Sequence, residues 1–241
     1  MLIRPARLAP VGDAGLIIEF EAEISQGVNS KVQAVSNVLR DAAWPELTGL
    51  VPSYRSVLVH YDPLATSYDE LCQKISHLEL KEYDQRQKRK RWEVPVCYGP
   101  DFGADFEHLA QRLNLSSREV IELHSSVDYM VYMIGFSPGF AYLGELPPQL
   151  EIARKLTPVA NVPANAIQIG GRQTAVSSVS MPSGWYVVGQ TPLIMFSATR
   201  PGPFLLNAGD MVRFRPVTET EFHQISQDIS TGSYKLAGDY T

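Results

Sequence analysis

Residues 135 to 139 read Gly-Phe-Ser-Pro-Gly, the letters of the G-x-S-x-G turn that presents a nucleophilic serine. That chemistry needs the backbone N–H after the serine to bind an oxyanion, and the residue there is Pro138, which has none. No Asp/Glu-then-His pair follows in the required order, His223 being the only later histidine. A serine nucleophile is therefore rejected. His124 is the residue placed for proton work. It ends a short helix just before an aromatic stretch, where it suits a proton carrier or a ligand hydrogen bond, and equally a histidine that stabilises the helix C-terminus. Arg154 and Lys155 follow that stretch and suit either an anionic substrate group or plain surface charge. Gln173, Ser183 and Trp185 lie in turns or strands further on, with Trp185 read as core. The five histidines and two cysteines show no metal-ligand spacing. There is no G-x-x-x-x-G-K-[ST] phosphate cradle; Gly170-Gly171-Arg172 sits between strands and reads as a turn.

The aromatic stretch, 129 to 144, carries no charge. It begins as a strand with two apolar faces, Tyr129, Val131 and Met133 on one and Met130, Tyr132 and Ile134 on the other. It breaks at Gly135, Pro138 and Gly139, so Phe136, Phe140 and Tyr142 fall in a loop that packs into a core or lines a site. Upstream, strands are expected at 15–20, 47–51, 56–61 and 93–98. Helices are expected from Val28, with Val32, Val35 and Leu39 on one face, and after the capping box Ser67–Glu70. This order is a split βαβ pattern. Two short helices follow at 105–113 and 117–124, the second opened by the capping box Ser116–Glu119. From Tyr129 to Pro216 short apolar runs alternate with Gly and Pro, with strands at 166–169, 175–179, 185–188, 193–196 and 211–214. Such a series predicts a barrel or sandwich.

The fold class is therefore α+β: a small split βαβ domain over 1–85, a β-barrel domain over 86–225 and a polar, peripheral tail over 226–241. The basic run 81–92 reads as a solvated linker rather than a contact for an anionic partner. A charged fraction of 20% and a net charge of -5 fit a globular protein and argue against nucleic-acid binding. Residues 173–199 are uncharged, but Pro182, Gly184, Gly189 and Pro192 interrupt them, so no membrane span is expected. Cys72 and Cys97 form no C-x-x-C, and the N-terminal residues carry no secretory apolar core. The reducing cytoplasm is the expected setting.

Several ordered blocks together resemble one family. They are Gly12-Asp13-Ala14, Pro52-Ser-Tyr-Arg55 through Tyr61-Asp62-Pro63, Val94-Pro-Val-Cys97-Tyr98-Gly99, Glu122-Leu-His124-Ser125 and Gly135 to Gly144. Val162-Pro-Ala164, Gly184-Trp185, Gly189-Gln-Thr191-Pro192 and Gly209-Asp210-Met-Val-Arg-Phe214 complete the set. The family includes the B subunit of bacterial 5-oxoprolinase, the Kip-type inhibitors of a sporulation histidine kinase, and the first subunit of allophanate-hydrolase-like proteins. The resemblance implies a cyclophilin-like barrel for the C-terminal domain. It implies a second cyclophilin-like partner subunit and, in 5-oxoprolinase, a third. Together these open 5-oxoproline to glutamate with ATP, for which this chain shows no site of its own. In that picture His124 handles a proton or orients substrate. Phe136, Pro138, Gly139 and Tyr142 shape the wall, and Arg154 and Gln173 offer polar contacts. The alternative is a non-catalytic regulator that binds a histidine kinase. The sequence departs from the family pattern at Val159, Asn165, Ser177 and Ser183. Asn165 replaces a glycine, which requires a positive φ tolerated by Asn or a different backbone.

Overall fold

Val57, Val59 and Tyr61 alternate along one strand and all three are buried, which turns one face of that strand onto a core. The computed structural model describes residues 5, 7–78, 89–236 and 238–240. Chain contacts divide the protein into two units, Met1–Gln87 and Lys88–Thr241. The first contains β1 (Arg7–Pro10), β2 (Gly15–Glu19), α1 (Gln26–Ala42), β3 (Leu47–Pro52), β4 (Ser56–Tyr61) and α2 (Tyr68–Ser76). The sheet order is β1-β2-β4-β3, all antiparallel. Its edge place beside β2 is filled by β1, not by the strand at 93–98, which belongs to the second unit. Val28, Val32, Val35 and Leu39 of α1 are buried with Leu71 and Ile75 of α2. Ser67 and Glu70 form the expected capping box. Of the basic run, residues 81–88 lie outside the described residues. Beyond it, the Lys90 ammonium sits 4.5 Å from the Trp92 ring centre and Arg91 pairs with Asp128 at 3.0 Å.

The second unit runs β5 (Lys90–Tyr98), α3 (Phe106–Leu113), α4 (Ser117–Ser125), β6 (Asp128–Ile134), β7 (Ala141–Leu143) and β8 (Val159–Val162). Then come β9 (Ala166–Gly170), β10 (Gln173–Val176), β11 (Met181–Ser183), β12 (Tyr186–Gln190), β13 (Met211–Pro216), α5 (Glu219–Thr231) and β14 (Gly238–Tyr240). Seven strands, in the order β12-β9-β10-β7-β6-β13-β5, close into a barrel because β5 also pairs with β12 at Cys97 and Tyr98. A separate two-stranded ribbon joins β8 to β11. Inward residues alternate along the strands: Val94 and Val96, Tyr129 and Val131, Ile167 and Ile169, and Val212 and Phe214 fill the interior. Phe106, Leu109 and Val120 bring α3 and α4 onto this core.

Two expectations are corrected here. Residues 193–196 form no strand; Phe196 makes a single bridge to Phe204. The facing segment contains Pro201 and Pro203, which cannot donate to a ladder. The stretch expected as a peripheral tail is structured: residues to Thr231 finish α5, and β14 pairs with β5 at Trp92. The uncharged stretch 173–199 contains β10, β11 and β12, and among the described residues no helix is long and apolar enough to cross a membrane.

Candidate functional site

The loop after β6 is tight. Gly135 N–H donates to the Phe140 carbonyl at 3.1 Å and Phe140 N–H to the Ser137 carbonyl at 3.1 Å. Phe136 takes a φ of 67°, which throws its ring outward to 70% exposure. Gly139 has a φ of 78°, and a Cβ there would come within 3.1 Å of Phe196 and 3.2 Å of Ser178. Ser178 Oγ donates to the Pro138 carbonyl. Pro138 and Gly139 thus shape the loop without lining the cleft described below. Ser137 Oγ meets the Met181 sulfur at 3.3 Å.

The loop, the start of β7 and the β8–β11 ribbon enclose an open cleft of about 410 Å³. Its walls include Phe136, Phe140, Tyr142, Pro158, Met181 and Trp185. The rings meet edge to face, Phe140 and Tyr142 at 4.6 Å and Tyr142 and Trp185 at 5.9 Å between centres. Trp185 rests directly on Gly170, where an added Cβ would fall 2.7 Å from the indole. The Arg154 guanidinium lies 5.1 Å over the Trp185 ring, a cation–π arrangement on the cleft wall. Lys155, its neighbour, is committed elsewhere. Its Nζ is 2.8 Å from Asp105 Oδ2, which also accepts the Val187 N–H at 2.9 Å. Two cations line the cleft, Arg154 and Lys155, and among the described residues Arg154 is the one of them that makes no ion pair. Burial raises the Tyr142 hydroxyl pKa, and the Arg154 charge opposes the rise in part.

His124 lies elsewhere. It has no exposed surface, and its ring stacks on Phe214 at 4.7 Å inside the barrel. Thr174 Oγ1 donates to the Gln168 carbonyl at 2.9 Å, so it accepts from His124 Nε2–H at 2.9 Å. That leaves Nδ1 as acceptor for the Tyr98 hydroxyl at 2.8 Å. Burial lowers the histidine pKa to about 3, and it raises the Tyr98 hydroxyl well above its ordinary value. The proton-carrying role expected of His124 gives way to that of a neutral clamp joining α4, β5 and β10. The reason is desolvation: a charged imidazolium cannot be sustained there.

Alternation assigns the amides. Thr174 and Val176 point into the barrel, so Gln173 and Ala175 point out; Ile167 and Ile169 point in, so Gln168 points out. Gln173 and Gln168 are both buried on this outward face, and Gln168 has escaped the sequence reading. An Ile-Gln-Ile strand marks an outward polar residue, but only the fold shows that the position is covered.

Residues 6–206 match the carboxyltransferase domain, subdomain C and D. The chain belongs to that family. It is 35% identical over 235 residues to the B subunit of 5-oxoprolinase from Bacillus subtilis (strain 168), over 92% of this chain and 97% of that protein. It superposes on the crystal structure of TTHA0988 with a TM-score of 0.76 at 34% identity, over 84% of this chain; the chain spans only 39% of that protein. K. lactis urea amidolyase, 19% identical with a TM-score of 0.75 over 97% of this chain and 16% of its own, shares the fold. The resemblance drawn from the sequence blocks therefore holds.

Within this carboxyltransferase subdomain C and D chain, the departures have structural accounts. Asn165 has a φ of 60°, so it occupies the left-handed conformation of the glycine it replaces. Ser177 Oγ accepts the Ala166 N–H at 2.9 Å, knitting the hairpin end. Ser183 Oγ accepts the Trp185 N–H at 3.1 Å and lines the cleft. Val159 is exposed at the start of β8. Helices α2, α3, α4 and α5 carry their own carboxylates in the first turn, which disfavours a phosphate at those four starts, while the first turn of α1 carries none.

Proposed function

We propose that the chain is a non-autonomous subunit of a 5-oxoprolinase-like, ATP-dependent amidohydrolase. It supplies one wall of a site that a cyclophilin-like partner subunit, with a third subunit, completes. The observation that carries this reading is Arg154, a cation without an ion-pair partner among the described residues, set over Trp185 in an open aromatic cleft. A small ring stacks on such a wall, and its carboxylate meets the guanidinium. The cleft residues of this chain are poor acid–base catalysts near neutrality. Lys155 is bound to Asp105, burial raises the Tyr142 hydroxyl, and His124 is sealed in the core. Chemistry that opens a lactam must then come from the other subunits. Opening that ring is uphill enough to need coupling, so ATP binds there too. The Bacillus subtilis relative is, by its name, one part of a larger enzyme.

The test mixes the purified chain with its partner subunits and follows 5-oxoproline-dependent ATP hydrolysis. Turnover in the assembled complex, falling at least tenfold in kcat/KM in Arg154→Gln with assembly unchanged, is the expected result. An assembled complex without turnover would overturn the reading. A second reading, a non-catalytic regulator docking on a histidine kinase, draws on exposed Phe136, Leu156 and Val159 beside the cleft. It predicts kinase inhibition by the isolated chain, lost in Phe136→Ser.

A further inference from the structure

Asp105 stands at the N-cap of α3, where an aspartate ordinarily accepts an N–H of the first turn, yet its side chain makes no such bond. The carboxylate turns to the strand and loop beside it. The Asp105 N–H donates to the Val187 carbonyl at 3.0 Å, while Oδ2 accepts the Val187 N–H at 2.9 Å and the Lys155 ammonium at 2.8 Å. The Val187 N–H asks only for an acceptor, which a neutral Asn or Ser would supply. The negative charge therefore answers Lys155. The two side chains are only 18% and 13% exposed. Well-packed apolar residues would serve stability as well as such a pair, so its use lies in the charge it cancels.

That charge belongs to the cleft. Arg154 and Lys155 are its two charged residues, and among the described residues lining it none carries a carboxylate. The Lys155 N–H donates to the Gly184 carbonyl at 2.8 Å, which fixes its backbone next to Trp185. Its ammonium is drawn the other way, to Asp105 and to within 5.6 Å of the ring centre of Tyr186, a residue of the barrel interior. Arg154, one residue earlier, stays over Trp185 on the cleft wall. A lysine ammonium rides on a flexible four-carbon stem. Lys155 keeps its charge out of the cleft because Asp105 holds it there, so a wall with two cationic residues offers one cation.

We propose that Asp105 is a positioning residue that sets the specificity of the cleft: by holding Lys155 it leaves Arg154 as the available cation among the described residues, so the cleft takes a monocarboxylate and gives a second carboxylate no partner. This inference rests on the substrate reading above and adds a reason for the product to leave. Opening a lactam adds water across its amide; the C–N bond breaks, the carbonyl carbon ends as a carboxylate and the nitrogen as an ammonium. The open chain thus carries one carboxylate more than the ring. Were Lys155 free, that carboxylate would gain a charge-assisted bond and the product would be held. With Lys155 bound to Asp105, the new charge meets an aromatic wall instead, which favours release.

The test measures binding of cyclopentanecarboxylate, cis-cyclopentane-1,3-dicarboxylate and 5-oxoproline to the full chain, alone and with its partner subunits, at one ionic strength. The first two compounds share a ring and differ by one carboxylate. Wild type is expected to bind the dicarboxylate no more tightly than the monocarboxylate. Asp105→Asn keeps an acceptor for the Val187 N–H and releases Lys155. It is expected to bind the dicarboxylate about tenfold more tightly than wild type does, and the monocarboxylate within about threefold of wild type. Adding Lys155→Met to that variant is expected to abolish the gain. A pair that only held the fold together would give no gain, since its loss would weaken both compounds alike. Asp105→Ser, which also keeps an acceptor, repeats the measurement if the first variant folds poorly. Tighter binding of the dicarboxylate by wild type, no gain in either variant at position 105, or a gain that survives Lys155→Met would each overturn the inference while leaving the substrate reading intact. Failure of wild type to bind 5-oxoproline in the assembled complex would bring down the substrate reading itself, and this inference with it.

Discussion

Acidification should weaken the barrel through His124, by an amount the structure sets. The imidazole is sealed in the core with a pKa lowered from 6.5 to about 3 by burial. In the unfolded chain it returns to the ordinary value. As the pH falls below 6.5 the unfolded chain takes up a proton that the folded chain refuses, so stability drops through the window from 6.5 down to about 3. At pH 5 the loss is about 1.5 × 1.36, or about 2 kcal/mol. Urea denaturation at pH 7 and pH 5 measures it, with His124→Gln as the reference. The variant is expected to lose about 1–3 kcal/mol at pH 7 for its altered hydrogen bonds. It should then lose about 2 kcal/mol less than wild type on going to pH 5, since all other titrating groups are shared. Equal losses in the two proteins, or an imidazole that titrates near 6.5 in the folded state by NMR, would refute the sealed neutral clamp.

Gly170→Ala should push the Trp185 indole off its seat, costing about 1–3 kcal/mol and changing tryptophan emission; an unchanged melting temperature and spectrum would contradict the contact. Asp105→Ala should cost about 2–3 kcal/mol, because it leaves Lys155, only 13% exposed, and the Val187 N–H without their partner. Thermal denaturation reads it, and a cost under about 0.5 kcal/mol would mean that the pair is a surface one.

Local chemistry was the legible part of this chain. The capping boxes at Ser67 and Ser116 and the apolar face of α1 depend on neighbours within a turn or two, and the structure has them where the spacing puts them. Asn165 shows the same: a glycine-like conformation was one of two readings, and a φ of 60° selects it. The strand at 193–196 misled because burial alternates there, with Leu193 and Met195 inside and Ile194 out, while the facing prolines deny it a ladder. The site was legible in part. Phe136, Tyr142 and Arg154 come together on one cleft, as aromatic and cationic residues around a broken strand should. His124 did not join them, since a histidine at a helix end looks the same in sequence whether its ring turns to solvent or into a barrel. Met181 was invisible because its place on the cleft comes from the β8–β11 ribbon, where it pairs with Val162.

The parallel pairing of β5 with β13 joins Arg91 to Met211 and Val96 to Pro216. A ring of strands closed by its first and nearly its last member cannot finish during synthesis until the ribosome has released that last member. Until then the edge of β5 that β13 fills stays open through the making of every strand between, and two nascent copies could exchange β13. Order of translation, no less than packing, thus falls on the far end of the polypeptide, and a stop codon placed before residue 211 would leave an unclosed sheet prone to aggregate rather than a smaller barrel.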